Sequence, residues 1–178
     1  MKPITIHDNN FEVYINRETI ARGVTALARQ LKKDLNGEIP IFISILNGAF
    51  VFAADFMRAY EGECEISFIK LASYEKTEST GKVKQMLGIN EDLTNRTVVV
   101  LEDIIDTGTT LQSIYKILGE EKLKDLKIAT LFFKPEVFKK ELHIDYVAFD
   151  IPDNFIVGYG LDYDGLGRNL PDIYKLIK

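Results

Sequence analysis

Glu102 and Asp103 stand side by side, Asp106 follows, and Thr107, Gly108, Thr109 and Thr110 come directly after it. Adjacent carboxylates suit a ribose diol or a hard cation such as Mg²⁺. Threonine hydroxyls, with a glycine that lets the backbone approach a ligand, suit a phosphate. The elements that must hold these groups are legible on either side. Thr97 to Leu101 is an apolar, β-branched run, which predicts a parallel strand buried on both faces. Leu111, Ile114, Tyr115 and Leu118 recur at helical spacing, so a helix is expected from about Thr109. Strand, acid pair, hydroxyl-rich turn and helix N-terminus together make a phosphate cradle, because the unpaired N–H groups and the positive dipole end of a helix attract anions. No Gly-Lys-Ser/Thr follows, so it is not a Walker loop, and its glycine spacing is not that of a dinucleotide fingerprint. Singly, each of these residues is also an ordinary helix cap or a solvated strand end. The string as a whole points to a phosphorylated ribose.

Composition narrows the setting. The chain has 178 residues, 46% hydrophobic and 28% charged, which fits one domain with a substantial core. A net charge of −5 offers no electrostatic footprint for nucleic acid or a membrane surface. The single cysteine, Cys64, has no internal disulfide partner and lies in an apolar stretch, as a small core residue would. No apolar run is long enough for a signal peptide at the N-terminus or for a bilayer span elsewhere, so a cytoplasmic location is expected.

Further elements follow from hydrophobic spacing. Asn16 can cap a helix carrying Ile20, Val24, Leu27, Leu31 and Leu35, with Gly37 as its stop. Ile39 to Leu46 reads as a second two-faced strand, ending in the turn Asn47-Gly48-Ala49, after which Phe50 to Tyr60 reads as an apolar helix. Glu65 to Leu71, Lys127 to Phe133 and Ile144 to Phe149 are the remaining strands. The polar stretch from Ala72 to Gln85 has little to bury and suits a functional lid, with Ser73 and Tyr74 at its base. Lys134 precedes Pro135 at a strand end. The expected fold is α/β: a mostly parallel five-stranded sheet flanked by helices, in one domain. Its core covers residues 15–150, and a small hood is built from residues 1–14 and 151–178.

The stretch Val99 to Thr110 resembles the phosphoribosyl-diphosphate (PRPP) signature of the type I phosphoribosyltransferases. Lys134, the Pro152-Asp153-Asn154-Phe155 turn, Asp162-Tyr163 and Arg168 resemble the hypoxanthine-guanine branch of that family. The resemblance runs from about Ile41 to Leu170 and implies the following roles. Glu102 and Asp103 hold the ribose hydroxyls and the shell of a Mg²⁺ ion. Asp106, Thr107, Gly108, Thr109 and Thr110 grip the 5′-phosphate, and Asp106 accepts the purine N7 proton. Phe155 stacks on the purine. Lys134 donates to its 6-oxo group, which a 6-amino group cannot match because lysine has no acceptor. Backbone around Ile156 and Asp162 meets the two-position edge. Arg168 and the Asn47-Gly48 turn hold pyrophosphate, Asp162 reaches a second metal through water, and Ser73 and Tyr74 close as a lid. One departure stands out: the family's Leu-Lys-Gly turn is here Leu46-Asn47-Gly48, without the positive charge. That turn binds partly through its backbone, so pyrophosphate binding is expected to survive.

The implied reaction joins PRPP to hypoxanthine or guanine, with xanthine a possible third base and adenine a poor one. The family also implies a homodimer or homotetramer. Rival readings remain at this stage. The acid pair could serve glycosidic hydrolysis, but neighbours on a strand point to opposite faces. A nucleotide-binding RNA regulator would want a basic face, which the acidic composition disfavours. A metabolite-binding module without turnover would need neither Asp106 nor a lid.

Overall fold

The computed structural model describes residues 3–72, 84–87 and 89–177, so Ser73 and Tyr74 lie outside the described residues. The chain enters through two strands, β1 (Ile4–Ile6) and β2 (Asn9–Ile15), and then helix α1 (Arg17–Leu35). The side chain of Asn16 caps α1 by accepting from the Thr19 N–H at 2.9 Å. Its far end is closed by Asn36 in the left-handed conformation, one residue before the glycine expected to stop it; asparagine tolerates that conformation.

The central units follow as β3 (Ile41–Leu46), α2 (Phe50–Ala59), β4 (Glu65–Ala72), β5 (Lys84–Leu87), β6 (Thr97–Ile105), α3 (Thr109–Leu118), β7 (Asp125–Phe133) and β8 (Tyr146–Asp150). They form one sheet in the order β5-β4-β3-β6-β7-β8. Strands β4, β3, β6, β7 and β8 are mutually parallel, the five-stranded sheet expected from sequence, and β5 adds an antiparallel edge. The two-faced strands alternate as a pleat requires. Phe42, Val99 and Leu101 face α1 and α2, against Leu27, Leu31, Phe52 and Phe56. Ile41, Ile43, Val98 and Val100 face α3, against Leu111, Ile114 and Leu118. Each fully buried Phe, such as Phe52 or Phe56, contributes roughly 1.5–3 kcal/mol of burial. Helices therefore cover both faces, and the chain leaves β3 and β6 toward opposite sides, which opens a crevice at their carboxyl ends.

Strands β3 and β8 each begin two residues later than expected, and the end of β6 differs most. Strand β6 runs on through Glu102 and Asp103 to Ile105 instead of ending at Leu101. Its neighbour β7 is equally long and pairs with it as far as Ile105↔Phe133, so the ladder carries the acids inside the strand. The last two strands, β9 (Ile156–Val157) and β10 (Ile173–Leu176), join β1 and β2 in a second, antiparallel sheet in the order β1-β2-β10-β9. Among the described residues, no helix is long and apolar enough to cross a membrane.

Candidate active site

The carboxyl ends of β3, β6, β7 and β8 lie together, and most of the described residues among those expected in the site lie on or just after them. Glu102 is buried, and its Oε2 has no hydrogen-bond partner. Burial, and then the charges of Asp103 and Asp106, hold its carboxyl well above the usual range. Asp103 takes the other face of the strand and accepts from the Ile104 N–H at 2.9 Å. Burial raises it to about 6, against its own backbone hydrogen bonds and the charge of Arg168. Its Oδ2 lies where a Cβ on Gly48 would be, 1.6 Å from that position, so the β3 turn closes directly onto the acid pair. The Leu46–Asn47 peptide bond in this turn is cis.

Beyond β6, Asp106 is exposed and accepts hydrogen bonds from the backbone N–H and the hydroxyl of Thr107. Gly108 sits at φ 81° as the N-cap of α3, a conformation glycine adopts without cost. It supplies no side-chain cap, so the first N–H groups of α3 are not claimed by one. Exposed Thr107 and Thr109 approach each other at 3.2 Å between hydroxyls, beside exposed Thr110. The cradle is therefore assembled as the residue types imply: free helix N–H groups ringed by hydroxyls.

Lys134 follows β7, and its N–H donates to Ile105 O at 2.9 Å, which sets it beside the end of β6 and hence Asp106. Its side chain is only 10% exposed, and its Nζ pairs with Asp153 at 2.9 Å. Phe155 is 47% exposed, too open for a core phenylalanine. Its ring stands edge-on to Tyr163, centroids 5.5 Å apart, with Phe11 behind it at 6.2 Å. The ring is thus left partly open to solvent, two residues after the Asp153 that holds Lys134. Ile156 begins β9, buried and paired with Lys175 across the second sheet.

Asp162 and Arg168 complete the far side. Arg168 donates to Asp162 Oδ1 at 2.6 Å and to the Gly160 carbonyl at 2.7 Å, while Asp162 Oδ2 accepts from the Gly165 N–H at 2.8 Å. Both oxygens of Asp162 are thus engaged, and the charges of both residues reach Asp103. Sequence reasoning missed Asp153 as the partner of Lys134, although the Pro-Asp-Asn turn carried it. It named Tyr163 within the motif but not its contacts: the hydroxyl accepts from Asn9 and donates to Asp8, a link between chain ends that no local pattern reveals.

The chain belongs to the phosphoribosyl transferase family, whose domain model matches residues 13–164. Its relatives fall on the hypoxanthine-guanine branch. It is 39% identical over 172 residues to the hypoxanthine-guanine phosphoribosyltransferase of Staphylococcus aureus, covering 96% of both chains. It is 36% identical to that of Aquifex aeolicus, covering 96% of this chain and 97% of the other. The crystal structure of a hypoxanthine-guanine phosphoribosyltransferase from Bacillus anthracis superposes with a TM-score of 0.87 at 43% identity, over 93% of this chain and 98% of that one.

Proposed function

We propose that the chain is a purine-salvage enzyme that transfers the 5-phosphoribosyl group of PRPP to hypoxanthine or guanine, releasing IMP or GMP and pyrophosphate. One observation carries this reading: the buried Lys134 ammonium is anchored beside the strand end that presents Glu102, Asp103 and the phosphate cradle, and its partner Asp153 stands two residues before the half-exposed Phe155 ring. The purine rests on Phe155 with its 6-oxo group toward Lys134. The ribose hydroxyls meet Glu102 and Asp103, and the 5′-phosphate meets the α3 N-terminus. In the reaction, the bond from C1′ to the diphosphate oxygen breaks with its electron pair on oxygen. N9 of the purine forms the new bond to C1′, and the N7 proton passes to Asp106. Arg168 and the backbone of the Asn47-Gly48 turn receive the leaving pyrophosphate.

The donor set fits a divalent cation, taken here as Mg²⁺. The Oε2 of Glu102 is buried without a hydrogen-bond partner, and Asp103, the next residue, is a second hard oxygen donor. A Mg²⁺ ion there would share its shell with substrate phosphates and water. Glu102 and Asp103 would hold it, with Asp162 contributing through water. When bound, it supplies neutralisation of diphosphate charge. The four-stranded sheet of β1, β2, β10 and β9 acts as a hood over the purine. We place the enzyme in the cytoplasm as a homodimer or homotetramer. Purified protein incubated with PRPP, Mg²⁺ and each of hypoxanthine, guanine, xanthine and adenine tests the reading. Nucleotide and pyrophosphate are expected with the first two bases, and no product with any base overturns it.

A further inference from the structure

Tyr159 lies between Gly158 and Gly160, just after β9. Its backbone is left-handed, at φ 48°, which costs an aromatic residue about 1 kcal/mol and persists where the surroundings over-determine it. Here they do. The ring is 7% exposed, and the hydroxyl donates to Asp55 Oδ2 at 2.7 Å. Burial and the Asp55 carboxylate push the phenol upward, so it remains a donor throughout the neutral range. Asp55 lies in the second turn of α2, where its Oδ1 also accepts from Arg58 at 2.8 Å. Among the described residues, Tyr159–Asp55 is the one side-chain hydrogen bond joining α2 to residues 156–177.

What the bond joins is informative. Helix α2 grows directly out of the Asn47-Gly48 turn: the Phe50 N–H donates to Asn47 O at 3.3 Å and the Ala53 N–H to Ala49 O at 2.8 Å. On the other side, Gly160 packs against that same turn, since a Cβ on it would stand 2.1 Å from Gly48 O. The Gly160 carbonyl accepts from Arg168 Nη1 and its N–H donates to Arg168 O at 3.0 Å. Tyr159 is thus bolted to the helix that grows out of the Gly48 turn, and its next neighbour touches both Gly48 and Arg168. We propose that Tyr159 and Asp55 are a positioning pair that holds the Gly48 turn and Arg168 in register as one diphosphate-binding unit. This rests on the assignment of that turn and Arg168 to pyrophosphate. The pair acts through the turn and Arg168 and is assigned no contact with substrate of its own.

The test separates the pair from a general structural role. Tyr159→Phe keeps the ring and removes only the hydroxyl. Asp55 has 43% of its side chain exposed, so water can satisfy it and the fold should persist. In Tyr159→Phe, the KM for PRPP and the calorimetric Kd for pyrophosphate with Mg²⁺ should both rise about tenfold, in keeping with the loss of a hydrogen bond to a charged group. The KM for hypoxanthine and the Kd for IMP should stay within about twofold. Asp55→Ala should match it and Asp55→Asn, which keeps an oxygen acceptor, should fall between; these two also serve if Tyr159→Phe does not fold. Equal losses for all ligands, or unchanged pyrophosphate binding, overturn the proposal. If the wild-type protein binds IMP but not pyrophosphate, the underlying assignment fails and the proposal falls with it.

Discussion

Gly48 and Asp103 share one space: the position of a Cβ on Gly48 lies 1.6 Å from Asp103 Oδ2 and 2.6 Å from its Cγ. In Gly48→Ala, either the acid or the turn must move. The expected cost in stability is about 1–3 kcal/mol, as for overpacking elsewhere. The functional cost should be larger for PRPP than for purine, with the KM for PRPP rising about tenfold. A wild-type KM for PRPP would show that the contact has no part in binding.

Asp103 also makes a pH prediction. A carboxyl with a raised folded-state value binds its proton more tightly in the native state. It therefore stabilises the fold below its unfolded value near 3.8, and that contribution is lost as pH rises through about 6. Ligand-free Asp103→Asn, which never ionises, should gain thermal stability relative to wild type across this window, by a few degrees at about pH 7. Melting curves at several pH values check this, and a pH-independent difference between the two proteins contradicts it.

Asp106 accepts from the Thr107 N–H and so has a structural tie as well as the assigned chemistry. Asp106→Asn keeps an oxygen for that N–H but loses basicity, whereas Asp106→Ala loses both. Both should lower kcat by roughly one to three orders of magnitude, and Asp106→Asn should retain the better IMP affinity. Near wild-type kcat in either would remove Asp106 from proton transfer.

Lys134 is held by Asp153 and is otherwise buried. Lys134→Ala removes the proposed donor to the 6-oxo group, so the KM for hypoxanthine should rise about tenfold or more. The preference for hypoxanthine over adenine should narrow. Competition assays with both bases measure it, and unchanged discrimination excludes Lys134 from the purine pocket.

Elements governed by local spacing were legible in advance. The apolar runs at Ile41–Leu46 and Thr97–Leu101 had to be buried on both faces, and the helical repeats in α1 and α3 had to face them. The string from Glu102 to Thr110 announced a phosphate and ribose site because each group bears its chemistry within a few positions of the next. Strand β2 was missed although Phe11, Val13 and Ile15 alternate, since its partner β10 lies at the other end of the chain.

By itself, then, the sequence determined the parallel core, the cradle and the resemblance that names Lys134 and Phe155. The tertiary structure alone decided how deeply each acid is buried, because Glu102 and Asp103 point to opposite faces of one strand and only packing says how completely each is covered. It also paired Lys134 with Asp153, set Gly48 against Asp103, and hung Tyr159 on Asp55. Those relationships join residues tens to a hundred positions apart. Periodicity acts over a few residues, and such contacts arise only when the sheet order brings distant turns to one edge.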